Sequence, residues 1–146
     1  MEIDGLYQEV ILDHYRNPKH KNLLTNFSIK VHHVNPSCGD EQDLAIRVTK
    51  NSISEIGWDG VGCSISQAST SMLSELVTGA TITQAFELID EFSQMILSKG
   101  SNQGDEEVLG DAVALNGVSK FPARVKCALL GWMALKRSEE HTSELQ

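Results

Sequence analysis

A chain of 146 residues with 40% hydrophobic and 22% charged residues has the size and composition of one soluble domain with a single core, which excludes a disordered polar tract or a fibrous repeat. Its formal net charge of −8 argues against nucleic acid or anionic lipid as the main partner, because both repel an acidic surface at long range. The longest nearly apolar run, Cys127 to Leu135, falls far short of the ~20 residues of a membrane-spanning helix, and no basic-then-apolar leader opens the chain, so a cytoplasmic protein without membrane contact is expected.

The first element is a helix from about Gly5 to Arg16, with Leu6, Val10 and Ile11 on one face and Pro18 ending the pattern. Phe27 to Val34, Asp43 to Thr49 and Ile53 to Trp58 are β-branched or alternating and predict three antiparallel strands. Their joints are rich in turn formers: Asn35 to Asp40 between the first two, and Lys50-Asn51-Ser52 as a tight hairpin. After Gly62 the period changes, and Ile65, Ala68, Met72, Leu73 and Leu76 form the stripe of a helix from Cys63 to Val77. A second amphipathic helix is predicted from Thr83, as N-cap, to about Leu97. Ser101 to Val118, acidic and punctuated by Gly104, Gly110 and Gly117, reads either as a loop with a short helix inside it or as a solvated connector. Pro122 then opens a last helix that carries Cys127. The expected fold is α+β, a small three-stranded antiparallel sheet packed against four to five helices.

Residues 1–136 are expected to make one domain. The last ten residues, Arg137 to Gln146, resemble one frame of a common sequencing adapter and are expected to be a non-native appendage, which also discounts His141 as a ligand.

Three cysteines suit a metal or redox role better than a disulfide framework. Cys38 and Asp40 flank Gly39, whose backbone freedom lets both side chains face one ion. Cys63 follows Gly60-Val61-Gly62 at a helix start, where the dipole and unpaired N–H groups favour an anionic sulfur. Cys127 lies beside Arg124 and Lys126. Spacing alone leaves Cys127 open to a second reading, a small buried hydrophobe on an apolar helix face. A tetrahedral zinc ion accepts three thiolates and a carboxylate, as does iron in a sulfide cluster.

Several strings together resemble the IscU/NifU N-terminal superfamily: Asp13-His14-Tyr15 with Asn17-Pro18, Asn35 to Asp40, Gly60 to Ser66, Ala68-Ser69 and Arg124 to Leu129. The resemblance runs in register from about Leu6 to Leu135 and is strongest to the SufU branch. Lys126 stands where IscU-type members carry a histidine, and Ser101 to Val118 looks like the extra segment of SufU-type members. This resemblance implies a SufE/NifU-like fold and a zinc-dependent sulfurtransferase. Cys38, Asp40, Cys63 and Cys127 are its implied zinc ligands, and Cys38 its implied persulfide acceptor. The implied partners are a SufS-type cysteine desulfurase and a downstream SUF cluster-assembly complex. The alternative is a scaffold that binds iron and assembles a transient [2Fe-2S] cluster for transfer. A third reading is a zinc-stabilised interaction module.

Other polar residues are read as structural. His32 and His33 are adjacent on a strand, so they point to opposite faces and cannot share an ion. His14 reads as packing or partner contact. Ser64, Ser66, Ser69 and Ser71 lack a nucleophile elbow and an identifiable base, and read as helix-start and small packing residues. Arg124 reads either as a partner for a released thiolate or Asp40, or as a solvated helix charge.

Overall fold

The structure is a computed structural model, and it describes residues 5–36 and 39–142. In chain order the elements are α1 (Gly5–Arg16), β1 (Ile29–Asn35), β2 (Asp40–Thr49), β3 (Ser52–Val61), α2 (Ser64–Val77), α3 (Ile82–Ile96), α4 (Glu106–Leu109), a 3-10 helix (Gly110–Lys120) and α5 (Pro122–Thr142). The strands form one antiparallel sheet in the order β1-β2-β3. The expected α+β architecture is therefore present, with three strands and five α-helices among the described residues.

Lys50 and Asn51 close the β2–β3 hairpin at φ 51° and 65°, the two left-handed positions that match the strand twist. The sequence had placed the start of β2 three residues too late. Asn35 pairs with Asp40 at the end of the β1–β2 ladder, so residues with turn propensity are drawn into the sheet by cross-strand pairing. Because side chains alternate along a strand, Asp40, Gln42, Leu44 and Ile46 share one face, and all four are buried. The helices α2 and α5 pack on the sheet, and this row leads from the apolar core to the end of β2 where Asp40 sits.

The N-cap of α3 is Thr81, where Thr83 was expected. Only Thr81 has Gln84 at the third helical position to complete a reciprocal capping box. The segment after Gly100 is no solvated connector. Its 3-10 helix buries Ala112, Val113, Ala114, Leu115 and Val118, and it packs against α1, α2, α3 and α5. Glycines and acidic residues obscured that apolar set, of which Ala112, Leu115 and Val118 fall at the three-residue spacing of a 3-10 turn. Between α3 and α5, Phe92 stacks on Trp132 with ring centroids 3.9 Å apart. Beyond Lys136, α5 continues without a break. Arg137 donates to the carbonyl of His32 and to Nδ1 of His33, and Ser138 is buried. No described helix is long and apolar enough to cross a membrane.

Candidate metal centre

Three elements deliver one donor each to a common point. Strand β2 begins with Asp40, which is 1% exposed. Cys63 is the N-cap of α2, extended at φ −72° and ψ 168°. Cys127 lies one and a half turns into α5 and is also 1% exposed. One carboxylate oxygen and the two sulfur atoms all lie within 4.8 Å of one another, and neither cysteine is in a disulfide. Cys38 lies outside the described residues, two positions before Asp40. The structure thus brings together Asp40, Cys63 and Cys127 of the four residues singled out in the sequence.

The carboxylate of Asp40 has a second task. Its Oδ1 accepts the Cys63 backbone N–H at 3.0 Å, while Oδ2 lies 3.8 Å from Cys63 Sγ. The cap therefore comes from a neighbouring strand, since the Cys63 side chain makes no capping bond of its own. This leaves the sulfur directed at the other donors. Gly62 is required by proximity. A Cβ there would stand 2.6 Å from Asp40 Oδ1 and 2.5 Å from Ser66 Oγ, closer than atoms can approach. Gly39 adopts φ 71°, a left-handed backbone that draws on the conformational freedom expected of it.

Behind the donors lies a buried polar bracket that the sequence reading missed. Gln42 is fully buried and donates to the Ser66 carbonyl at 3.3 Å. Thr70 Oγ1 lies 2.8 Å from Gln42 Oε1 and 3.0 Å from the Ser66 carbonyl. On the α5 side, Ser69 Oγ donates to the Ala128 carbonyl at 2.6 Å and accepts from Trp132 Nε1 at 2.9 Å. These bonds fix the spacing between β2, α2 and α5, and with it the donor separation. Period-two alternation from Leu44 back through Gln42 to Asp40 was the signal that could have found the bracket.

The remaining candidates fall elsewhere. His32 is exposed and bonded to Asp43 at 2.7 Å. His33, across the strand, receives an Arg137 N–H at 2.9 Å. Burial, then the Arg137 charge, then His32, holds the His33 pKa below its usual value. His14 is buried and bonded to Ser71 and Asp111, and Ser66, Ser69 and Ser71 are buried packing residues. Arg124 is exposed and has no ion-pair partner among the described residues, in keeping with a solvated charge. Lys126 borders a groove between β1 and α5 with Asn35 and Pro36.

A carboxylate and two thiol sulfurs, two of the three residues almost fully buried, make a soft donor set that fits zinc or a cluster iron far better than magnesium or calcium. The NifU-like N terminal domain profile matches residues 6–128. The chain belongs to this family. Among its relatives, the zinc-dependent sulfurtransferase SufU of Bacillus subtilis is 44% identical over 135 residues, covering 92% of this chain and 90% of the relative. The iron-sulfur cluster assembly scaffold protein IscU of Streptococcus pyogenes is 37% identical over 145 residues, covering 99% and 89%. A candidate SUF-system scaffold protein from Fervidobacterium islandicum has a similar crystal structure, with a TM-score of 0.83, 34% identity and coverage of 90% and 94%. A NifU-like N-terminal structure from Brucella abortus, at TM-score 0.86 and 20% identity over 97% and 96% of the chains, shares the fold of this NifU-like domain.

Proposed function

We propose that this chain is a zinc-dependent sulfurtransferase of iron-sulfur cluster assembly that accepts persulfide sulfur on Cys38 from a SufS-type cysteine desulfurase. The observation that carries the reading is the convergence of the Asp40, Cys63 and Cys127 donor atoms within 4.8 Å, in a chain 44% identical to a relative named for this activity. Zinc would be held by these three residues and Cys38, and when bound it keeps the sulfurs as thiolates at neutral pH. In the transfer, the Cys38 thiolate attacks the outer sulfur of the desulfurase persulfide. A sulfur–sulfur bond forms on Cys38, the desulfurase's own sulfur–sulfur bond breaks, and its cysteine leaves as a thiolate, so no external oxidant or reductant is needed. The buried Asp40 and Cys127 and the capped Cys63 hold their positions while Cys38 reacts.

The working unit in this proposal is residues 1–136, in the cytoplasm, with a downstream SUF cluster-assembly complex as sulfur acceptor and residues 137–146 as an appendage. A genomic reading frame that encodes Arg137 to Gln146 would remove the last point. The second reading, a scaffold for a [2Fe-2S] cluster on the same donors, is favoured by the names of the Streptococcus pyogenes and Thermotoga maritima relatives. Metal analysis beside a desulfurase assay separates the two. The sulfurtransferase reading expects about one zinc per chain, no cluster absorbance, and stimulation of the desulfurase that Cys38→Ala abolishes. A stoichiometric iron-sulfur chromophore without any effect on turnover selects the scaffold, and stimulation that survives Cys38→Ala overturns the relay.

A further inference from the structure

We infer that His14, Glu75 and Asp111 form a second divalent-cation site, built from nitrogen and oxygen donors and separate from the cysteine centre. Three elements meet there: His14 on α1, Glu75 on α2 and Asp111 on the 3-10 helix. His14 Nε2 lies 2.9 Å from Asp111 Oδ2 and 3.6 Å from Glu75 Oε1, and all three donor atoms are within 4.8 Å of one another. Donors sharing one ion at bond lengths of ~2.0 to 2.2 Å stand ~2.8 to 3.6 Å apart, depending on whether the ion is octahedral or tetrahedral. The two His14 separations fall within that range and the Glu75–Asp111 separation lies within 4.8 Å, so a modest movement of the exposed carboxylates brings all three donors onto one ion.

Two further observations set this group apart from a chance meeting of surface acids. The imidazole is 2% exposed and anchored from behind, with Nδ1 2.7 Å from Ser71 Oγ, an oxygen that also accepts the Lys19 N–H at 2.8 Å. When Nδ1–H donates to that oxygen, the Nε2 lone pair faces the carboxylates, which is how a second hydrogen bond orients a metal-ligating histidine. The charge is also unbalanced. Neither carboxylate has another hydrogen-bond or ion-pair partner among the described residues, so one imidazole faces two anions. Their side chains are 45% and 60% exposed, which leaves an entry path and room for water ligands. One imidazole and two carboxylates, with no sulfur, suit a first-row divalent ion such as Mn²⁺, Fe²⁺, Co²⁺ or Zn²⁺. Binding ties the 3-10 helix to α1 and α2.

Equilibrium dialysis of untagged protein against micromolar Co²⁺ tests this, comparing the wild type with Glu75→Gln/Asp111→Asn, whose exposed positions keep the fold. The wild type is expected to hold one more Co²⁺ per chain than the variant. Sulfur-to-cobalt charge-transfer absorption should be the same in both, because the lost ion has no sulfur ligand. Equal cobalt content in the two proteins overturns the inference, and so does a charge-transfer band that falls with the lost ion. The comparison is a difference at the His14 group, so it stands whatever metal the cysteine centre holds.

Discussion

The double duty of Asp40 makes a quantitative prediction. Its carboxylate is a candidate metal donor and also the acceptor for the Cys63 N–H, and the two duties respond differently to substitution. Asp40→Ala removes both and strands a helix-start donor beside a buried position, at a cost of about 1–3 kcal/mol in metal-free stability. Asp40→Asn keeps an amide oxygen at nearly the same place, so it loses only the charge assistance, about 1 kcal/mol. Zinc affinity should not follow this ranking. Both variants lose an anionic ligand, and both should bind at least as weakly as the ~10- to 100-fold loss typical of an outer-shell change. The assays are urea unfolding with chelator present and competition for zinc against a chromophoric chelator. Equal metal-free stability of Asp40→Ala and wild type would refute the capping role, and wild-type zinc affinity in Asp40→Asn would remove Asp40 from the ligand set.

Gly62→Ala should be destabilising by about 1–3 kcal/mol through overpacking. It should also weaken metal binding, because the new methyl displaces Asp40 Oδ1 from a position 2.6 Å away; unchanged zinc affinity would contradict this. Phe92→Ala removes a fully buried ring stacked on Trp132 and should cost about 3–5 kcal/mol by denaturant unfolding with little change in donor geometry. The lowered pKa of His33 means that the unfolded chain takes up a proton before the folded one as pH falls. This residue's contribution to stability therefore rises with pH between its folded value and about 6.5, and is flat above. Arg137→Ala removes the second-ranked cause, so an NMR titration should show the His33 pKa moving up towards its usual value, with burial retaining part of the shift; no movement would discount the Arg137–His33 contact.

Much of the fold was legible because local chemistry and tertiary context agree over most of the chain. Lys50-Asn51 is a hairpin by backbone preference alone, and Pro122 begins α5 where a proline must. Failure came where tertiary pairing overrode propensity. Asp40 read as the end of a turn, and Glu41 and Gln42 fell outside the predicted strand, yet pairing of Asn35 with Asp40 draws all three into β2. The 3-10 helix was obscured because Gly110, Asp111 and Gly117 bracket a short continuous apolar run, Ala112 to Leu115, that shows no α-helical stripe. At the site, Cys63 was legible from the glycines before it, whereas Asp40, whose spacing to Cys38 is weak evidence alone, rested mainly on the family resemblance. Cys127 was ambiguous, since a cysteine on an apolar face looks the same whether it packs or ligates. Only the Cα path of α5 past α2 decides its place, and that path depends on contacts more than fifty residues apart, such as Ser69 with Ala128.

That long-range dependence bears on how one donor set can serve relay or cradle. Asp40 is fixed by the sheet and by the Cys63 amide, Cys63 by its place at the helix start and by the bond from its own N–H to Asp40, and Cys127 by a helix whose neighbouring carbonyl is tied to α2. Three donors held this way can keep an ion while a fourth ligand is exchanged, which is how catalytic zinc sites retain three protein ligands and an open position. Under the proposed function, Cys38 occupies that exchangeable position. The resemblance implies a histidine just before the last cysteine in IscU-type scaffolds, whereas this chain has Lys126 there, a flexible side chain without an imidazole's ligating geometry. With no histidine at that position, and with Lys126 on the rim of a groove that Asn35 and Pro36 also line, releasing Cys38 leaves three donors. Such an arrangement favours an incoming anionic persulfide over a cluster that needs every ligand in place.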